Sequence, residues 1–196
     1  MIEKTLWIMC GPPASGKSWF AKHKLKNGPG WMYISRDEIR FSILKENEDY
    51  FAHENDVFVE YLKQIHHALH SEGIFNVIAD ATHLNWKSRN KLISNLEKIE
   101  HGLQNINIIP VVVEADMMVM LKRNEERTGR ERVGHGAIRR MAMQFDDPKH
   151  DPYDYTAIMY VDNGKEQYTD PHKFMYYKND VQMKEIPIKL VIKKGG

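Results

Sequence analysis

Eight consecutive residues carry the most specific chemistry in the chain. Gly11-Pro12-Pro13-Ala14-Ser15-Gly16-Lys17-Ser18 fits the pattern GxxxxGK[ST] at every fixed position. Glycines let the backbone fold tightly, so that successive N–H groups point at phosphate oxygens. A helix opening at Lys17 adds the partial positive charge of its N-terminus. Lys17 is expected to reach the β- and γ-phosphates of ATP, and Ser18 to ligate the accompanying Mg2+.

Three further sets of residues could act on such a ligand. Asp37 and Arg40 stand three apart at the start of a helix, so they share a face. The carboxylate could take the proton of an attacking hydroxyl, and the guanidinium could grip an acceptor phosphate. Asp80 closes an apolar run and is expected at the same edge, on a Mg2+-bound water or on the acceptor. Arg123, Arg127, Arg130, Arg132, Arg139 and Arg140 lie among Gly129, Gly134 and Gly136. Arginines suit the spread charge of a phosphoryl transition state, and glycines let a lid close. Arg127 is expected on phosphate, with Arg123 second.

These residues need a scaffold that brings strand ends together. Thr5 to Cys10 is a near-continuous apolar run, as in a strand buried on both faces. Helix follows from Lys17 to about Lys26, and Trp31 to Ile34 reads as a second strand, expected beside the first. Ser35 is a cap for the helix bearing Asp37. Phe58, Tyr61, Leu62, Ile65 and Leu69 recur at helical spacing within residues 49–72. A third strand covers 74–79, a helix 86–99, a fourth strand 106–113, and helices 115–127 and 137–145. Alternating strands and helices predict an α/β fold of three layers with a mostly parallel sheet of four to five strands.

Beyond Asp146-Asp147-Pro148 the chain turns rich in Tyr, Asp, Pro and Lys. Residues 157–161 and 186–192 look like strands. The expected division is a phosphate-loop domain over 1–150 and a small extension, 151–196, packed on it.

Bulk properties narrow the class. The chain has 196 residues, enough for one core without staples. Its net charge is +1 and its pI about 7.9. That balance excludes a strongly basic wrapper of long nucleic acid but allows a local basic groove. A single cysteine, Cys10, forbids an internal disulfide and points to a reducing cytoplasm. Neither a signal peptide nor a membrane span is visible, and no membrane partner is expected. His66, His67 and His70 lack the glutamate or cysteine of a zinc pattern. Trp7, Trp19, Trp31 and Trp86 read as core, with Trp86 and Tyr50 the aromatics to test for stacking on an acceptor base.

Four ordered segments together resemble the phage-type 5′-polynucleotide kinases. Ile34-Ser35-Arg36-Asp37-Glu38-Ile39-Arg40 is similar to their R-D-x-x-R segment, following the phosphate loop. Asp80-Ala81-Thr82-His83-Leu84-Asn85, then Arg89, resembles their D-x-T/N-L-N segment, one residue longer here. Arg123-Asn124-Glu125-Glu126-Arg127, with Val133 and the helix to Met141, resembles their arginine lid. The resemblance spans roughly residues 4 to 148. It implies a P-loop fold, Asp37 as general base, and Arg40, Asp80 and Thr82 on the acceptor. It further implies Ser18 and Asp80 toward Mg2+, and ATP as donor. The implied partner is DNA or RNA with a 5′-hydroxyl end, as in nucleic acid repair, in host cytoplasm if the gene is a phage's. No D-x-D-x-T phosphatase pattern occurs, so kinase activity alone is expected. Two other readings stay open: a small-molecule or tRNA-linked kinase, and an ATP-driven switch module using residues 149–196. Oligomeric state and the DNA or RNA choice are open at this point.

Overall fold

The computed structural model describes residues 3–163, and the backbone of 173–178 and 181–183. The expected strand at 186–192 lies outside the described residues. The order is β1 (Lys4–Cys10), α1 (Lys17–Phe20, running on as a π-helical turn, Ala21–Leu25), β2 (Trp31–Ser35), α2 (Arg36–Ile43), α3 (Glu54–His70), β3 (Asn76–Asp80), α4 (Trp86–Glu97), β4 (Ile106–Glu114), α5 (Met117–Glu125), α6 (His135–Met143), β5 (Ile158–Asp162), β6 (Lys173–Lys178) and β7 (Val181–Met183). The sheet runs β2-β3-β1-β4-β5-β6-β7. Its first five strands are parallel, and β6 and β7 add antiparallel.

Alternation along the central strands builds a core on each face. Leu6, Ile8 and Cys10 of β1 join Ile108 and Val112 of β4 under α3 and α4. Trp7 and Met9 join Ile109, Val111 and Val113 over Phe20, Ala21 and Leu25. Both faces are covered, which is why the strands read as unbroken apolar runs. A small third cluster (Ala14, Met120, Leu121, Ile138) roots α5 and α6 against the phosphate loop.

Local signals set the helix starts. Ser35 Oγ accepts from the Glu38 N–H and caps α2 as expected. Asn85 and Ser88 form a reciprocal capping box on α4. Trp19 departs from expectation: it is 44% exposed and stacks on His23 instead of entering the core.

One expectation of topology is corrected. β2 is not beside β1, because β3 lies between them and pairs with both. The connection through α1 carries the chain past one strand position, and β3 later fills the gap. With strands about 4.8 Å apart, the tips of β1 and β2 stand about 10 Å apart. Ser35 pairs with Asp80 in register, so the turn bearing Asp37 and the end of β3 share one edge.

The chain from 151 to 163 runs with this sheet. β5 pairs along β4. Asp151 reaches back to Arg89 of α4, both buried, with Nε–Oδ2 at 2.6 Å and Nη2–Oδ1 at 2.7 Å.

Candidate active site

The phosphate loop joins β1 to α1. Gly11 has φ 143° and Gly16 φ 96°. A Cβ on Gly11 would stand 2.6 Å from the Val113 carbonyl oxygen, and one on Gly16 2.0 Å from Asn163 Nδ2. Gly11 therefore needs glycine for space as well as for backbone sign, and Gly16 for its backbone sign. Ala14 takes φ 62° without being glycine, a strain of about 1–3 kcal/mol held by its neighbours. The loop is pinned from behind. Gly11 N–H donates to the Thr82 carbonyl (2.9 Å). Ser15 C=O accepts from Arg123 Nη1 (3.1 Å) and Asn163 Nδ2 (2.9 Å).

Lys17 is buried and donates to the Pro12 carbonyl at 2.7 Å. Burial pulls its pKa down to about 8; Arg127 adds to the fall, and the carboxylates of Asp80 and Asp37 oppose it. Asp80 is buried in turn, and burial raises its pKa against the pull of Lys17, Ser18 and Tyr33. Tyr33 of β2 donates its hydroxyl to Asp80 Oδ2 at 2.5 Å. The oxygens of Ser18 and Asp80 thus lie together, a hard donor set suited to Mg2+. Ser15 Oγ is buried with no hydrogen-bond partner among the described residues, a donor available to a phosphate oxygen.

Across the gap, Asp37 sits in the first turn of α2, with its side chain 65% exposed. Its Oδ1 receives Arg40 Nη1 at 2.8 Å and the Tyr50 hydroxyl at 2.7 Å. Arg40 Nη1 also donates to Tyr50 Oη (2.8 Å), which closes a triangle. Arg40 is buried, and its Nη2 meets Glu54 Oε2 at 2.5 Å. Arg36 shares the other Glu54 oxygen. Arg40 therefore spends most of its donors inside the protein, holding Asp37; its Nε has no partner among the described residues.

Thr82 meets the phosphate loop through its carbonyl, with its side chain half-buried. His83 next to it is buried, takes φ 38°, and bonds the Met9 carbonyl through Nδ1 at 2.9 Å. Burial holds its pKa down to about 4, so it is a neutral N–H donor there. Arg89 Nη1 clamps the His83 carbonyl at 3.0 Å. Cys10, beside Arg89, is a buried thiol whose pKa burial pushes up to about 12, in keeping with a core role.

In the lid, Arg123 Nη2 donates to the Asn163 carbonyl (2.8 Å), so this arginine grips the back of the loop. Arg127 is half-buried, 3.4 Å from the Glu131 carbonyl, and within electrostatic range of Lys17. Arg130 Nη2 reaches the Lys45 carbonyl at 2.8 Å, tying the lid to the turn after α2. His66 and His70 spend Nε2 on the Glu100 and Gly102 carbonyls, and no cluster of three metal-binding side chains occurs among the described residues. Trp86 packs near Tyr153, 6.4 Å between centroids.

Sequence reasoning missed Tyr33, Glu54 and Asn163. Tyr33 and Glu54 act through partners 47 and 14 residues away, and Asn163 through one 148 away. The only signal for Tyr33 was its position two residues before the Ser35 cap on a strand.

A family model described as an AAA domain matches residues 6–148. The chain belongs to that family. A search of curated proteins finds no match. Among solved structures, a chain in the Pnkp1/Rnl/Hen1 RNA repair complex superposes with TM-score 0.63 at 22% identity. The match covers 79% of this chain and 48% of that one, so this chain spans about half the length of that relative. A fungal RNA kinase matches with TM-score 0.57 at 10% identity, over 87% of this chain and 81% of that one. A sugar kinase from Janibacter sp. HTCC2649 matches with TM-score 0.53 at 11% identity, over 82% and 86%. The likeness is one of fold, that of the P-loop NTPases. Among the described residues, no helix is long and apolar enough to cross a membrane.

Proposed function

We propose that the chain transfers the γ-phosphate of ATP to the 5′-hydroxyl end of a polynucleotide. The observation that carries this reading is the Asp37 carboxylate. Two donors fix its Oδ1, and among the described residues Oδ2 carries no hydrogen bond. It faces the edge that also holds Lys17 and Asp80, close enough for Lys17 to feel its charge.

In this reading Asp37 Oδ2 accepts the proton of the acceptor hydroxyl. The hydroxyl oxygen forms a bond to the γ-phosphorus, the bond to the bridging oxygen breaks, and ADP leaves. Lys17 swings from the Pro12 carbonyl to the phosphates. Arg127 adds charge from the lid as the transferring group spreads its own. Arg40 holds the carboxylate in line through Nη1. Ser18 and Asp80 would hold Mg2+, which neutralises phosphate charge when bound. The segment 151–163 serves as part of the same unit, since Asp151 completes the brace behind the site.

The RNA repair chain and the fungal RNA kinase support a nucleic acid acceptor. The sugar kinase of like fold supports a second reading, a small-molecule acceptor. One experiment separates them: transfer from γ-labelled ATP to 5′-hydroxyl DNA and RNA oligonucleotides. Label on the 5′ end, lost in Asp37→Asn, is the expected result. ATP binding with no label on either oligonucleotide would sink the polynucleotide reading.

A further inference from the structure

The turn between α2 and α3 places an exposed aromatic ring one residue from the tyrosine that holds Asp37. Phe51 is 61% exposed. Its ring meets Tyr50 edge-on, 4.9 Å between centroids and 85° between planes. Tyr50 meets Phe41 in the same manner at 6.2 Å. The Arg40 guanidinium lies 4.3 Å from the Tyr50 ring centre and 5.9 Å from that of Phe51. Tyr50 is thus committed on its edge, at its hydroxyl and to Arg40. Phe51 is in T-shaped contact with Tyr50 and exposed to solvent, and it follows in sequence the residue whose hydroxyl holds Asp37.

Charge identifies what such a ring accepts. Residues 45–56 carry Glu46, Glu48, Asp49, Glu54 and Asp56 against Lys45. Arg36 and Arg40 neutralise Glu54, and Glu48 is bound to the Lys45 N–H and His53. Asp56 lies 3.6 Å from His53, and it, Asp49 and Glu46 are exposed carboxylates. Arg130 meets this turn at its start, on the Lys45 carbonyl, so a phosphate backbone laid over the stretch 46–56 beyond it would meet mostly like charge. An uncharged aromatic face meets no such penalty, and every nucleobase has one.

On the polynucleotide reading above, we infer that Phe51 stacks the nucleobase of the acceptor's terminal nucleotide while Asp37 holds its 5′-hydroxyl. The acceptor is therefore recognised at its end by one base. The rest of its backbone leaves the site away from the acidic turn.

The test compares 5′-hydroxyl oligonucleotides whose terminal nucleotide carries a base or is abasic, for wild type, Phe51→Ala and Phe51→Trp. Phe51 is on the surface, so neither substitution threatens the core. Wild type is expected to favour the base-bearing end by about 5- to 150-fold in kcat/KM, the range that stacking on an aromatic ring is worth. Phe51→Ala should erase that preference through KM, leaving the abasic end and the KM for ATP unchanged, and Phe51→Trp should keep it. Transfer that ignores the terminal base, or a preference that survives in Phe51→Ala, would overturn the stacking role alone. No transfer to either end would overturn the polynucleotide reading and the stacking role with it.

Discussion

The two sides of the gap are built differently. The donor side is mostly backbone: glycine turns, N–H groups and a helix start, pinned by carbonyl contacts to Thr82, Arg123 and Asn163. The proposed acceptor side is side chain on side chain, with Asp37 held by Arg40 and Tyr50, and Arg40 held by Glu54. Lys17 and Asp80 are buried, whereas the Asp37 side chain is 65% exposed. A backbone cradle suits a ligand whose phosphates are always the same. An exposed carboxylate on a side-chain scaffold suits a ligand whose shape can vary.

The largest expected effects separate the two sides outright. Asp37→Asn should lower kcat by about 10²–10⁴, the range for a lost general base, with ATP binding intact. Lys17→Ala should cost about 10²–10³ in kcat and weaken ATP binding as well. Thermal-shift titration with ATP beside steady-state kinetics checks the split. Loss of ATP binding in Asp37→Asn would mean that the two sides are one site energetically.

Behind the donor side lies a brace whose removal should show in stability. Arg89 is fully buried, doubly bonded to Asp151 and holding the His83 carbonyl, and Tyr155 donates to Asp151 at 2.7 Å. Asp151→Ala strands a buried guanidinium, a change that costs about 3–5 kcal/mol. Urea denaturation should show an unfolding free energy lower by that amount, with the midpoint falling by the same energy divided by the m-value. The double variant Arg89→Met, Asp151→Leu should recover much of it, since no charge is then left buried. An Asp151→Ala protein as stable as wild type would mean the turn at His83 is held by other contacts.

Much of the donor side was legible in the sequence because its determinants are local. Eight adjacent residues specify the loop, an apolar run specifies the strand before it, and Ser35 specifies the cap of α2. Strand order was not legible, since nothing in the residues of β2 records that β3 will enter beside β1. Partners brought together by topology were equally hidden. Glu54 reads as an ordinary first-turn carboxylate of α3, yet it anchors two arginines of α2. Asn163 follows β5 and touches the loop from 148 residues away. Arg123 reads as a phosphate ligand, yet it spends Nη1 and Nη2 on carbonyls of Ser15 and Asn163.

A smaller effect tests the burial of Lys17. With its pKa drawn down to about 8, the side chain is charged at pH 7 and about nine-tenths neutral at pH 9. The charged form is the one phosphates attract, so ATP affinity should fall as pH rises through 8, by about tenfold at pH 9. Binding at pH 9 should take up a proton, visible by calorimetry in buffers of different ionisation enthalpy. Binding near pH 6.5 should take up none through Lys17. An affinity flat from pH 7 to 9 would place the charge on another group.

The smallest effect probes the acceptor scaffold without removing the carboxylate. Tyr50→Phe keeps the ring that supports Phe51 and deletes only the hydroxyl on Asp37 Oδ1. Burial and the Asp37 charge raise the Tyr50 pKa, so this hydroxyl is a donor at every working pH. Arg40 remains on the same oxygen, so the carboxylate loses one of two restraints. One neutral-donor hydrogen bond is worth about 0.5–1.5 kcal/mol, which gives about a two- to tenfold fall in kcat for transfer. Affinity for ATP should not move, and neither should the preference for a base-bearing acceptor end. A fall confined to the KM for the acceptor would instead make the hydroxyl a ligand of the substrate, and Asp37 would then be held by Arg40 alone.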